Sequence, residues 1–165
     1  MTGTTNARRA AHATFAIERR YAQPPQRVFA AFSERAAKLR WFASAPGFTT
    51  DEYTFDFRVG GGESWRGQHT ASAAEIRNET MFRDIVPGER IICVYDMFVA
   101  GARISVSLLT LEFKPLGDLK PGGSGTLLVL TEQDAFLDGY EDAGAREHGT
   151  RALLDRLEEE LQRAE

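Results

Sequence analysis

Apolar and polar residues alternate along Thr14 to Tyr21, with Phe15, Ile17, Arg19 and Tyr21 on one face and Thr14, Ala16, Glu18 and Arg20 on the other. A period of two predicts a first strand. Gln23-Pro24-Pro25 ends it, because proline has no N–H to give a ladder, and Pro25 suits the first turn of a helix. Val28, Phe29 and Phe32 then recur at helical spacing, as do Leu39 and Phe42, which predicts two short helices over Gln26 to Ser33 and Arg35 to Ala43. The period returns to two at Tyr53, Phe55, Phe57 and Val59, a second strand. Gly60-Gly61-Gly62 lacks the lysine and hydroxyl of a phosphate loop and has no helix directly after it, so it predicts a turn or bulge into a third strand, Glu63 to Gln68, anchored by Trp65.

The polar stretch Gln68 to Glu79 reads as a loop or a weak strand end. A fourth strand at Met81 to Val86 follows, then a Pro87-Gly88 turn and a fifth strand at Arg90 to Phe98. In the fifth strand Ile91, Cys93, Tyr95 and Met97 share one face while Ile92, Val94 and Asp96 share the other, as in the middle of a sheet. In the sixth, Arg103 to Lys114, the apolar phase changes from Ile104, Val106 and Leu108 to Leu109, Leu111 and Phe113, which predicts a bulge near Leu108 and Leu109. A glycine- and proline-bearing connection, Pro115 to Gly125, leads to a seventh strand at Thr126 to Gln133 and a linking turn at Asp134 to Glu141. Asp142 can cap the last helix, which runs to about Arg163. Ala145, Gly149, Leu153, Leu157 and Leu161 recur there every four residues, with Leu154 beside them, and read as one apolar stripe.

Strands grouped together with segregated helices make an α+β domain, and only the last helix is long enough to cover the concave face of the sheet. One domain over residues 13–165, after a loose tail at 1–12, is expected for this length. The net charge of -4 and pI near 5.5 oppose a nucleic-acid footprint, which needs a basic face. No apolar run approaches the roughly 18 residues of a membrane span, and the first residues lack the apolar segment of a secretory signal. The single cysteine, Cys93, lies in an apolar run and reads as a buried structural thiol, compatible with a reducing cytoplasm.

Several short words in this order resemble a known family. They are the PPQRVFAAF start, Arg40-Trp41-Phe42, Asp56 to Gly61 (DFRVGG), Val86 to Ile91 (VPGERI) and His148-Gly149 to Leu157. Together they resemble the START-like superfamily, in the branch named after the activator of the heat-shock-protein-90 ATPase, from about Ala13 to Leu161. The resemblance implies a helix-grip fold: a curved seven-stranded antiparallel sheet wrapped around the C-terminal helix, with two short helices after strand one. It also implies an apolar cavity between sheet and helix. Relatives of this fold include ligand carriers, aromatic-ring cyclases and a co-chaperone domain, so fold alone names no activity. The co-chaperones of that branch carry an additional N-terminal domain, for which 165 residues leave no room.

No catalytic motif is visible. There is no GxSxG elbow, and no HxxxH or Cys/His cluster with metal-ligand spacing, so neither a metal nor a cofactor is expected. His148 sits off the helix stripe. The acidic run Glu158-Glu159-Glu160 reads as a solvated helix face, with Glu147 and Arg151, Arg151 and Asp155, and Arg156 and Glu160 pairing at i,i+4. Arg19 and Glu132 are polar positions on apolar strand faces. Either each reaches water near a strand end, or they form an orienting pair for a polar group on an apolar ligand. Gly149 in mid-helix costs about 1 kcal/mol relative to alanine, which points either to close helix–sheet contact or to empty volume for a ligand.

The expected function is binding of a small apolar or aromatic molecule. Candidate lining residues are Phe15, Phe29, Trp41, Phe55, Trp65, Tyr95, Leu111, Gly149 and Leu153, with Arg19 and Glu132 as polar contacts. A cyclase- or hydrolase-like enzyme and a co-chaperone are the alternatives. A monomer or a homodimer fits the pattern, since an edge strand permits pairing without demanding it.

Overall fold

Antiparallel pairing carries most of the strands further than their hydrophobic patterns reach. The computed structural model describes residues 7–120, 123–140 and 142–163. The strands are β1 (Ala10–Tyr21), β2 (Glu52–Phe55), β3 (Gly62–Gln68), β4 (Glu75–Val86), β5 (Arg90–Val99), β6 (Ala102–Lys120) and β7 (Gly123–Leu137). The helices are α1 (Pro25–Ser33), α2 (Arg35–Lys38), which runs into a π-helical turn at Leu39–Ala43, and α3 (Ala143–Leu161). The seven strands form one antiparallel sheet in the order β1-β7-β6-β5-β4-β3-β2. This is the α+β helix-grip fold.

The core lies between the sheet, α1 and the C-terminal half of α3. Ile17, Val28, Leu128 and Leu157 are wholly enclosed, and Phe29 meets Phe113 edge-on at 5.3 Å, as Phe32 meets Trp41 at 5.0 Å. Trp41 donates its indole N–H to the Ala31 carbonyl at 2.8 Å, which ties the π-helical turn to α1.

Several predicted boundaries move. β1 starts at Ala10 because it pairs with β7 as far as Leu137, so the first half of the predicted linking turn is strand. Residues 1–6 of the predicted tail, and Glu141, lie outside the described residues. β4 starts at Glu75 within the stretch read as a loop, held by β3 on one side and β5 on the other. β2 ends at Phe55, and Asp56 to Gly61 folds into a turn in which Gly60 has φ +82°. A side chain at Gly61 would lie 2.4 Å from the Asp56 carbonyl oxygen, so this turn requires glycine there.

The predicted bulge at Leu108 and Leu109 is absent, because the β5–β6 register runs unbroken from Arg90↔Glu112 to Met97↔Ser105. The irregularity falls at Met97 and Phe98, beyond which β6 carries Ile104 as an extra residue. Ser105 and Ser107 are buried in phase with Leu111 and Phe113. The inward face of β6 keeps its period from Ser105 to Phe113, but the Ser105 end is polar.

The helix stripe also needs correction. At 3.6 residues per turn, a step of four residues drifts by roughly 40°, so Ala145 and Leu161 cannot share a face. Ala145 and Gly149 are exposed, whereas Leu154, Leu157, Glu160 and Leu161 are buried. Glu160, read as solvated, instead accepts from Nε of Arg40 at 3.0 and 3.1 Å. Arg156 donates to the carbonyls of Trp41, Arg40 and Ser44 at 2.8 to 2.9 Å, not to Glu160. Asp155 pairs with Arg19 at 2.8 Å, while the expected pair of Glu147 and Arg151 does form. Asp142 caps α3 by accepting from the amide of Ala145 at 2.9 Å.

Candidate functional site

Two adjoining chambers separate the N-terminal half of α3 from the sheet. The outer one, about 400 Å³, opens beside Ala145 and Gly149 and is walled by Phe48, Trp65, Met97 and the Ala45-Pro46 turn after the π-helical turn. The inner one, about 110 Å³, lies deeper, among Trp41, Phe82, Ile91, Leu111 and Leu130. Phe42, Asn78, Tyr95, Thr150 and Leu153 border both and form the neck between them.

A buried polar cluster occupies one wall. Arg146 projects from the first turn of α3 with its side chain only 10% exposed, and its Nη1 lies 3.3 Å from Glu132 and 3.2 Å from Asp134. It also donates to the Tyr95 hydroxyl at 3.0 Å and to Ser107 at 3.1 Å, while Nη2 donates to Ser105 at 2.7 Å. Tyr95 in turn donates to Glu132, and Ser107 to Asp134. Antiparallel register explains the gathering. Ser107 stands opposite Asp134 and Leu109 opposite Glu132, so the inward residues at the ends of β6 and β7 face one guanidinium.

Arg146 supplies one positive charge against two carboxyls, and protonating one of them brings the cluster to neutrality. Burial, reinforced by the neighbouring Asp134, pushes the Glu132 carboxyl up to about 7, although the Tyr95 hydrogen bond opposes this. Burial likewise raises the Tyr95 phenol, with Glu132 adding to the shift. The cluster can therefore hold or release a proton near neutral pH at the neck of the cavity.

A second buried acid faces the inner chamber from the opposite side. Glu63 on β3 is 4% exposed, and Lys38 at the end of α2 approaches its Oε2 to 3.2 Å, though not at hydrogen-bonding angles. Lys38 lies over the rings of Phe42, Trp41 and Phe32 at 4.6, 5.2 and 5.6 Å, which offsets part of the cost of burying its charge. Burial raises the carboxyl of Glu63 above its ordinary range, opposed by the charge of Lys38. Cys93 borders the same chamber as a free thiol that burial pushes up to about 12. Among the described residues, no group of three or more His, Cys, Asp or Glu side chains is placed to hold a metal ion. No helix among them is long and apolar enough to cross a membrane.

The model of one family, Activator of Hsp90 ATPase homolog 1-like protein, matches residues 22–162. The chain belongs to that family. Solved structures similar to it include the Mll3558 protein from Rhizobium loti, 45% identical, with 92% of this chain and 99% of that one covered and a TM-score of 0.82. A protein from Rhizobium leguminosarum is 42% identical over 96% of this chain and 99% of its own, with a TM-score of 0.85. An AHSA1-like protein from Aeromonas hydrophila, 17% identical over 93% of this chain and 98% of its own, shares the fold at a TM-score of 0.63. No curated protein matches the chain.

Within this member of the Hsp90-activator-like family, the residues singled out in the sequence divide into two groups. Trp65 and Gly149 border the outer chamber, Trp41, Leu111 and Glu132 the inner one, and Tyr95 and Leu153 both. Phe15, Phe29 and Phe55 border neither and pack in or against the core. Arg19 also lies apart. Its partners are Asp155 and the Arg151 carbonyl, so it does not pair with Glu132, whose counter-charge is Arg146. Glu132 does not reach water, being 2% exposed. At Gly149 an added Cβ would meet nothing within 4 Å, which removes close helix–sheet contact as the reason for glycine.

Sequence reading missed Arg146, Asp134, Glu63 and Lys38. A partial signal was present in Glu132, a polar residue on an apolar strand face; Ser105, Ser107 and Asp134, which the structure buries beside it, fall in the hydrophobic pattern on the outward phase or in the linking turn. Once gathered, these four residues need a donor rich in N–H groups, and arginine fits that requirement best.

Proposed function

We propose that this protein binds a small, largely apolar or aromatic molecule carrying a polar group, in the two chambers between α3 and the sheet. The observation that carries the reading is the pair of adjoining cavities, about 400 and 110 Å³, that share five wall residues and are lined mainly by apolar and aromatic side chains with a few converging polar groups. That combination of size and lining is typical of small-molecule sites. Tyr95, Asn78 and Thr150 at the neck supply orienting hydrogen bonds, and Phe42 and Leu153 supply apolar contact.

Titration with a fluorescent apolar probe, followed by displacement with unlabelled aromatic compounds, tests the reading directly. Saturable one-to-one displacement that is lost in Gly149→Trp, with Tm retained, supports it. A chain that admits no probe overturns it.

A second reading, acid–base catalysis on the bound molecule, is favoured by one observation. Glu132 borders the inner chamber and titrates near 7, which suits a general base at neutral pH. Turnover of a bound compound that vanishes in Glu132→Gln while binding persists would establish it.

A further inference from the structure

The inner chamber has apolar walls but ends on a carboxyl with unused hydrogen-bonding capacity. Glu63 is 4% exposed, and its Oε2 has no hydrogen-bond partner among the described residues, only the off-angle contact with Lys38 at 3.2 Å. A carboxylate offers about four lone-pair sites, and the single ion pair with Lys38 offsets only part of the cost of burying this one. Glu132 accepts from Tyr95 and Arg146, and Glu160 accepts from Arg40 through both oxygens; Asp134 also has one oxygen without a partner, but unlike Glu63 it borders neither chamber. Glu63 stands instead at the edge of an empty space of about 110 Å³.

We infer that the inner chamber is a subsite for the hydroxyl of a hydroxylated aromatic ring, which donates to Glu63 and accepts from Lys38. This rests on the reading that the cavity binds small molecules, and it adds which chemical group enters first. Charge decides between the candidates. A ligand ammonium would meet Lys38 as a like charge, and a ligand carboxylate or phosphate would meet Glu63 as one. A neutral hydroxyl has one donor and two acceptor positions, and so satisfies both members of the pair. The walls choose the scaffold. Phe32, Trp41 and Phe82 border the chamber, where their ring edges and faces suit an aromatic guest. The chamber is smaller than the roughly 150 Å³ cavity known to hold one benzene, so a bicyclic ligand places its hydroxylated edge inside and extends through the neck into the outer chamber.

The test compares 2-naphthol with 2-methylnaphthalene, which match in size and differ in the hydroxyl, by calorimetric titration of the full chain. Hydrogen bonds to a charged group predict that 2-naphthol binds at least about tenfold more tightly. In Glu63→Leu the advantage falls below about threefold while 2-methylnaphthalene binds undiminished. Glu63→Gln, which keeps shape and one acceptor, loses at least about threefold of the advantage and serves if the leucine variant fails to fold. Equal affinity of the two probes for the parent chain, or an advantage that survives in a folded Glu63 variant, overturns the subsite but leaves the cavity reading standing. Failure of both probes to bind takes down the cavity reading and the subsite with it.

Discussion

Arg146 on α3 and Glu132 on β7 meet at 3.3 Å across the gap between helix and sheet, so the helix that covers the cavity is pinned at that end by a buried ion pair. The pin is asymmetric in its cost. With the guanidinium in place, both carboxyls of β7 have a hydrogen-bond donor and share one positive charge, but without it two acidic groups stay buried beside each other. Arg146→Met is expected to destabilise the protein by about 3 to 5 kcal/mol, the usual penalty for breaking a buried pair. Arg146→Lys keeps the charge but loses the fork that reaches Ser105 and Ser107, and should cost less. Urea unfolding of the three proteins, at constant m-value, checks the order.

The cluster also sets a pH dependence. Glu132 titrates near 7 in the folded protein and near 4.5 when unfolded, so the folded state binds the proton more tightly. Its contribution to stability is complete below about pH 4.5 and is lost as pH rises through about 7, on the order of 3 kcal/mol across that window. Unfolding free energy of the parent chain should fall over this range relative to Glu132→Gln, whose profile lacks that slope. A parallel pair of profiles would refute the assignment.

Gly149 offers the cleanest separation of stability from binding. An added Cβ there meets open space, so Gly149→Ala should gain about 0.5 to 1 kcal/mol in helix stability. Gly149→Leu should fold equally well yet weaken probe binding at least fivefold by filling the outer chamber. Thermal unfolding and probe titration on the same samples distinguish the two effects.

The C-terminal half of α3 behaves differently. Leu157 is fully enclosed, and Leu157→Ala should cost about 2 to 5 kcal/mol. By contrast, Arg19 pairs with an Asp155 side chain that is 63% exposed, and Arg19→Ala should cost about 1 kcal/mol or less. Chemical denaturation of both variants measures the contrast.

Periodicity carried the order of elements because a sheet with one buried face imposes a period of two, and Ile17, Phe82, Cys93 and Leu130 all follow it. What periodicity could not carry was polar residues on the buried face. Ser105 and Ser107 looked like outward positions, so an intact inward phase on β6 was read as a bulge. Glu132 was noticed for the same reason but was matched with Arg19 on the neighbouring strand β1, where the register in fact sets Leu128 opposite Arg19. Arg146 was hidden because nothing in its helical spacing ties it to residues of β6 or β7. Lys38 and Glu63 are 25 residues apart in sequence and meet only because α2 folds over β3. Such pairings depend on tertiary register, which no local pattern encodes.

Cys93 gives the molecule a built-in reporter of the inner chamber. It is the only thiol in the chain, and it sits beyond the neck, in the wall of the inner chamber, where burial keeps it protonated and slow to react. A small neutral alkylating reagent that enters the inner chamber meets it there, and a guest in that chamber stands in the way. The rate of its modification therefore reports how far that chamber is occupied, without a label and without knowledge of the natural guest.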